Sequence, residues 1–174
     1  LADTYHEHKI VGVKAGYEEL MTLNDSEYKM KVFECIHTIP TRGYGFSQKR
    51  KKIKEEYSSI PGKELGRLRK EGIEISHEVW IPTFAYMCDT SIEAITKEVL
   101  SHTVLMVECT FWTSDMEERA NSVGHICWTQ IKPIIEENPK TQFVLFHISK
   151  RYKWTELQAI IDESGLTNVT LWSD

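Results

Sequence analysis

The sequence has no apolar run approaching the ~18 residues that a membrane-spanning helix needs, which excludes a transmembrane helix. It has no Cys-x-x-Cys pair. Its four cysteines (Cys35, Cys88, Cys109, Cys127) are scattered, and three sit in apolar runs, so a cysteine-rich metal site is excluded. Small buried thiols of this kind fit a reducing intracellular compartment, cytoplasmic or nuclear. Proline is scarce at five residues, and there is no clean linker, internal repeat or low-complexity tract. The first nine residues are polar and charged, which fits neither a signal peptide nor a transit peptide. What is present is a 174-residue chain, 41% hydrophobic and 10% aromatic. That is enough for one well-cored domain, and too much ring surface for a disordered chain.

Net charge is −5, so the whole chain does not attract nucleic acid electrostatically. The average conceals a local run. Lys49 to Lys70 carries nine bases against three acids, leaving the remainder acidic.

Along the chain, Lys9–Lys14 reads as a strand, Tyr28–His37 as a second, and Gly43–Phe46 as a short third. The basic run follows, with Pro61-Gly62 as punctuation and Glu64–Lys70 as a short helix closed by Gly72. An alternating rhythm then sets in: strand Thr83–Cys88, helix Ile92–Leu100, strand Thr103–Cys109, helix His125–Glu137, strand Gln142–His147, helix Trp154–Glu163 and strand Asn168–Trp172. Strands first, then strand–helix repeats, predict a layered α/β sheet domain.

Polar residues stop the apolar strands. His37, Asp89, Glu108 and His147 each stand at or just beyond a strand's carboxyl end, where ligands gather in open α/β sheets. Imidazole and carboxylate are a ligand set suited to zinc. Each residue also has a plainer use, and Asp89 or Thr90 suits the N-cap of the next helix. His6-x-His8 has metal-like spacing but no partner carboxylate, and His77 and His102 read as solvated element edges.

Six segments in order carry a family resemblance. They are Val32–Phe46 (VFECIHTIPTRGYGF), Ile60–Ile75 (IPGKELGRLRKEGIEI), Phe84–Thr90 (FAYMCDT), Val104–Phe111 (VLMVECTF), Gly124-His125, and Phe146–Tyr152 (FHISKRY). Together they resemble the C-terminal half of RNase Z, the tRNA 3′-processing endonuclease of the metallo-β-lactamase superfamily, in its short plant-type branch.

The resemblance implies the C-terminal half of a four-layer αβ/βα sandwich: residues 1–174 as part of one domain, with 49–72 a basic arm-like insertion. It implies that His37 and His147 each bind one of two zincs and that Asp89 bridges them. His125 would stand near the leaving group as proton donor, with Glu108 tuning it and Ser149 and Arg151 beside the site. Lys51, Lys52, Lys63, Arg67, Lys70 and Arg151 would meet RNA phosphates, with Gly62 and Gly66 letting the arm's backbone turn. Precursor tRNA is the implied partner, and a homodimer the implied assembly.

Three departures stand out. Cys88 replaces the family's Gly before the bridging Asp, and Val107 stands where many relatives have His. The family's His-x-His-x-Asp-His motif, source of further ligands and of the water-activating acid, does not occur in this sequence. A fragment that starts at Leu1 accounts for that better than a shortened, inactive relative. Two rival functions are another hydrolase of the same fold acting on a small phosphodiester or ester, and a non-catalytic binding module.

Overall fold

The computed structural model describes residues 10–172. Its strands are β1 (Glu18–Leu23), β2 (Ser26–Glu34), β3 (Arg42–Ile53), β4 (Ser76–Met87), β5 (Val104–Glu108), β6 (Gln142–Phe146) and β7 (Val169–Leu171), in one sheet that follows chain order. The first four pair antiparallel, and β4 to β7 pair parallel. Helix α1 (Gly62–Lys70) lies between β3 and β4, and α2 (Lys97–Leu100) between β4 and β5. Helices α3 (Glu117–Val123) and α4 (Trp128–Glu137) join β5 to β6, and α5 (Trp154–Ser164) joins β6 to β7. No helix among the described residues is long and apolar enough to cross a membrane.

Period-two alternation sends Ala85, Met87, Leu105, Val107, Phe143, Leu145, Val169 and Leu171 to one buried face of the sheet. Ile131 and Ile135 of α4 and Leu157 and Ile161 of α5 join them in one core. Trp112 stacks on Trp128 at 5.0 Å between centroids and fixes the start of α4. On the opposite face Tyr86, Met106, Phe146 and Trp172 line an open cleft of about 550 Å³.

This topology has one consequence for function. β2 and β4 are each antiparallel to β3, so they run the same way, and β5 and β6 run parallel to β4. The carboxyl ends of four strands therefore open on one edge of the sheet, where His37, Asp89, Glu108 and His147 lie.

Several expectations need correction. Lys9 lies outside the described residues, as do His6 and His8, while residues 10–14 are not a strand. The first strand is Glu18–Leu23, paired to β2 through a turn in which Asn24 and Asp25 take φ of 47° and 59°. The short strand at Gly43–Phe46 is the start of a 12-residue strand that absorbs the basic run as far as Ile53. Gly62 and Gly66 lie within α1 and turn nothing; the left-handed residue is Gly72, at φ +80°. Ile92–Leu100 splits into a short 3-10 turn and α2, because Thr96 caps the second piece by accepting from Val99 N–H. His102 is buried rather than solvated. Its Nδ1 lies 2.9 Å from the Val99 carbonyl and its ring meets Phe33 edge-on at 5.9 Å.

Candidate metal and catalytic site

At the common edge, Glu108 closes β5 and is fully buried. Its two oxygens receive four donors. Thr90 N–H (3.1 Å) and His125 Nδ1 (2.7 Å) meet Oε1; Thr110 N–H (3.0 Å) and the Thr110 hydroxyl (2.9 Å) meet Oε2. Four donors are the full complement of a carboxylate. Thr90 also accepts from Ile36 N–H at 2.8 Å, tying the end of β2 to the end of β4. Thr90 and Asp89 therefore do not cap the following turn, whose N-cap is Ser91.

His37 lies three residues past β2, and its Nδ1 donates to the Gly124 carbonyl at 2.8 Å. Gly124 takes φ +71°, and a Cβ there would stand 3.1 Å from both Cα and Nδ1 of His37. The left-handed φ and the close approach of the two loops together favour glycine. The same left-handed turn ends α3 and delivers His125, whose ring centroid lies 4.8 Å from that of His37 and 5.2 Å from that of His147. His147 follows β6 directly and takes φ +57°, a conformation costing a non-glycine residue about 1–2 kcal/mol. Asp89, two residues past β4, has Oδ1 at 3.6 Å from His147 Nδ1.

The donor set suits a metal ion. Ligand atoms of His37, Asp89 and His125 lie within 4.8 Å of one another, and so do those of Glu108, His125 and His147. Two of the imidazoles give Nδ1 to oxygen acceptors, Gly124 O and Glu108 Oε1, which in the neutral ring leaves the Nε2 lone pair to coordinate and in the protonated ring leaves an Nε2–H to donate. The Glu108 hydrogen bond raises the His125 pKa against the opposing effect of burial, with further help from the charges of Glu108 and Asp89. Nearby thiols are quiet: burial pushes Cys35 up to about 11 and Cys109 well above its ordinary value.

Of the remaining expected residues, Arg151 lies at the rim. It donates to Ser149 Oγ at 3.1 Å, and its guanidinium carbon stands 5.3 Å from the Phe111 ring centroid. Lys51, Lys52, Lys63, Arg67 and Lys70 lie away from this edge. Beyond Gln48, the last β3 residue paired to β2, and before Phe84, the first β4 residue paired to β5, the β3–β4 hairpin continues without a third strand and ends in α1. Arg67 pairs with Glu64 of its own helix and with Glu71 just past its end, and Lys49 with Glu27 and Glu78, which blunts both charges. Sequence reasoning passed over Thr110, the hydroxyl at the centre of the cluster. The signal available was its place two residues beyond a strand-ending Glu, where a pleat returns its side chain to the same side.

No family model matches the chain. It is 30% identical over 156 residues to tRNase Z TRZ1 of Arabidopsis thaliana, across 87% of this chain and 55% of that protein. This chain is a relative of ribonuclease Z. It spans about half the length of that relative. In structure it is similar to the metallo-beta-lactamase fold protein YhfI from Bacillus subtilis, with TM-score 0.51, 12% identity, and 90% of this chain against 50% of that one. Human tRNase Z, short form, gives 0.50 and 16%, covering 90% of this chain and 43% of its own. The fold is thus the C-terminal part of a metallo-β-lactamase sandwich, the α/β class that the strand–helix rhythm predicts.

Proposed function

We propose that this chain carries one side of the active site of a zinc-dependent endoribonuclease that removes the 3′ trailer of precursor tRNA. The observation that supports it most is the convergence of three histidines and Asp89 on one sheet edge, around a buried carboxylate that holds the His125 ring. In this reading His37, Asp89 and His147 hold metal. Zinc, when bound, supplies Lewis-acid activation of water and neutralises charge on the phosphate. His125, protonated and oriented by Glu108, gives its proton to the departing 3′ oxygen. Arg151, on the rim and without a carboxylate partner among the described residues, meets a phosphate oxygen.

The basic hairpin end acts at a distance. From the Tyr44–Tyr86 pair to the Ile53–Ser76 pair it runs nine residues, about 30 Å at strand rise. Residues 49–72 serve as an arm, and the exposed Lys51, Lys52, Lys63 and Lys70 grip the tRNA body there, with Arg67 contributing less. The complete enzyme acts as a homodimer inside the cell and draws further ligands from a His-x-His-x-Asp-His segment that this sequence lacks. The 174-residue chain alone holds zinc weakly and does not cleave.

The test uses the complete protein. His125→Ala should retain zinc and lose roughly 10²–10⁴ in the cleavage rate of precursor tRNA, the worth of a positioned acid. One observation favours a second role, because His125 belongs to both ion-holding groups; loss of zinc along with activity would make it a ligand. Reversing Lys51 and Lys52 to Glu should raise KM for precursor tRNA, lower the salt slope of binding by about one unit per lost contact, and spare a small phosphodiester. Equal loss on both substrates would overturn the arm's role. No loss on either would favour a small-ester hydrolase. Two tightly bound zincs in this chain alone, by elemental analysis, would overturn the ligand assignment.

A further inference from the structure

Thr110 lies at the centre of the site. Its Oγ1 is 2.9 Å from Glu108 Oε2, 2.9 Å from His147 Nδ1, 3.1 Å from the His147 carbonyl and 3.3 Å from His125 Nδ1. A hydroxyl has one proton to give and two lone pairs to receive with. Charge makes the carboxylate the strongest acceptor among these neighbours, and the Thr110 N–H already converges on the same oxygen at 3.0 Å. Were the proton turned to His147 instead, a hydroxyl lone pair would face Glu108 Oε2 at 2.9 Å inside a buried pocket. With the proton on the carboxylate, the His147 carbonyl at 3.1 Å goes without it, and His147 Nδ1 at 2.9 Å is satisfied as an N–H that donates to Oγ1, with Asp89 Oδ1 as a farther acceptor at 3.6 Å. His125 Nδ1, at 2.7 Å from Oε1, sends its own proton there and leaves Thr110 free for His147.

We infer that Thr110 is a positioning residue that relays the Glu108 carboxylate to His147, fixing the His147 Nδ1–H tautomer and so leaving Nε2 as the nitrogen with a lone pair for a metal. One buried carboxylate then orders two imidazoles, His125 directly and His147 through a single hydroxyl. This sets the ligand orientation that histidine sites ordinarily obtain from a separate partner on each ring. The inference rests on the metal-site reading of the proposed function, but the tautomer it predicts is measurable without metal and without cleavage.

The experiment is long-range ¹H–¹⁵N NMR of the metal-free, histidine-labelled full chain, with His147 and His37 assigned by substitution. Wild type should show His147 as the Nδ1–H tautomer. T110S should keep that pattern, and T110V should lose it, with His147 moving to the Nε2–H form or to a mixture. His37, held by the Gly124 carbonyl, should stay Nδ1–H in all three and so reports that the edge remains folded. An Nε2–H His147 in wild type overturns the inference whatever the variants do. An unchanged His147 in T110V overturns it also, as does a T110S that behaves like T110V. If T110V fails to fold, T110A is read in its place. A ribonuclease assay failing while these tautomers hold would sink the proposed activity and leave the relay standing.

Discussion

The site edge and the far end of the β3–β4 hairpin are built from opposite materials. At the edge, Glu108 is fully buried and takes four hydrogen bonds, and the loops carrying His37 and His125 touch through a left-handed glycine where a Cβ would be crowded. At the hairpin end, Lys51, Lys52, Lys63 and Lys70 are exposed, α1 buries no residue, and nothing lies within 4 Å of where a Cβ on Gly62 or Gly66 would stand. A buried polar network fixes geometry because each lost partner leaves another group unsatisfied in a low dielectric. An exposed row of cations fixes little and instead supplies a field that salt can screen. The first arrangement suits chemistry at a defined atom, and the second suits holding a large polyanion.

Substitutions can break or sharpen that contrast. The largest effect on stability is expected at the hub. Glu108→Ala strands two buried N–H groups together with the His125 and Thr110 donors, and should cost about 3–5 kcal/mol in urea unfolding. A loss under 1 kcal/mol would mean the network is not a structural unit. Gly45→Ala comes next, because its Cβ would fall 2.4 Å from the Phe33 ring and 2.7 Å from His102 Nε2; overpacking there should cost about 1–3 kcal/mol. Gly66→Ala in the hairpin helix should go the other way, stabilising by about 0.5–1 kcal/mol in thermal unfolding. Equal signs at Gly45 and Gly66 would erase the distinction between the packed sheet and the hairpin end.

A smaller effect should follow pH. Burial lowers the His102 pKa below its ordinary 6.5, so the native state resists a proton that the unfolded chain accepts. The stability that neutral His102 contributes is therefore complete above about pH 6.5 and falls as pH drops through that value toward the folded pKa. Wild type should lose stability relative to His102→Gln between pH 7.5 and 5 in urea titrations. Parallel curves would show that the ring is wet in solution.

Much of this arrangement was legible in the chain. Buried parallel strands show as continuous apolar runs, so β5 and β6 could be read within a residue or two, and the polar stops after them marked the site edge. β1 was not legible, because Glu18–Leu23 alternates weakly and depends on a turn in which two non-glycine residues adopt positive φ. The burial of His102 is not legible either, since its polar neighbours in sequence are not its neighbours in space: Phe33 and Gly45 arrive from β2 and β3.

The sequence by itself determined which residue types could do chemistry and that they stand where strands end, because period and punctuation are local properties of the chain. Only the tertiary structure decided that four strand ends share one edge, since that depends on β2, β4, β5 and β6 running the same way. It likewise decided that Glu108 serves His125 from 17 residues away, and that Thr110 stands between Glu108 and a histidine 37 residues distant. Hydrogen bonds act over about 3 Å of space and are indifferent to separation along the chain.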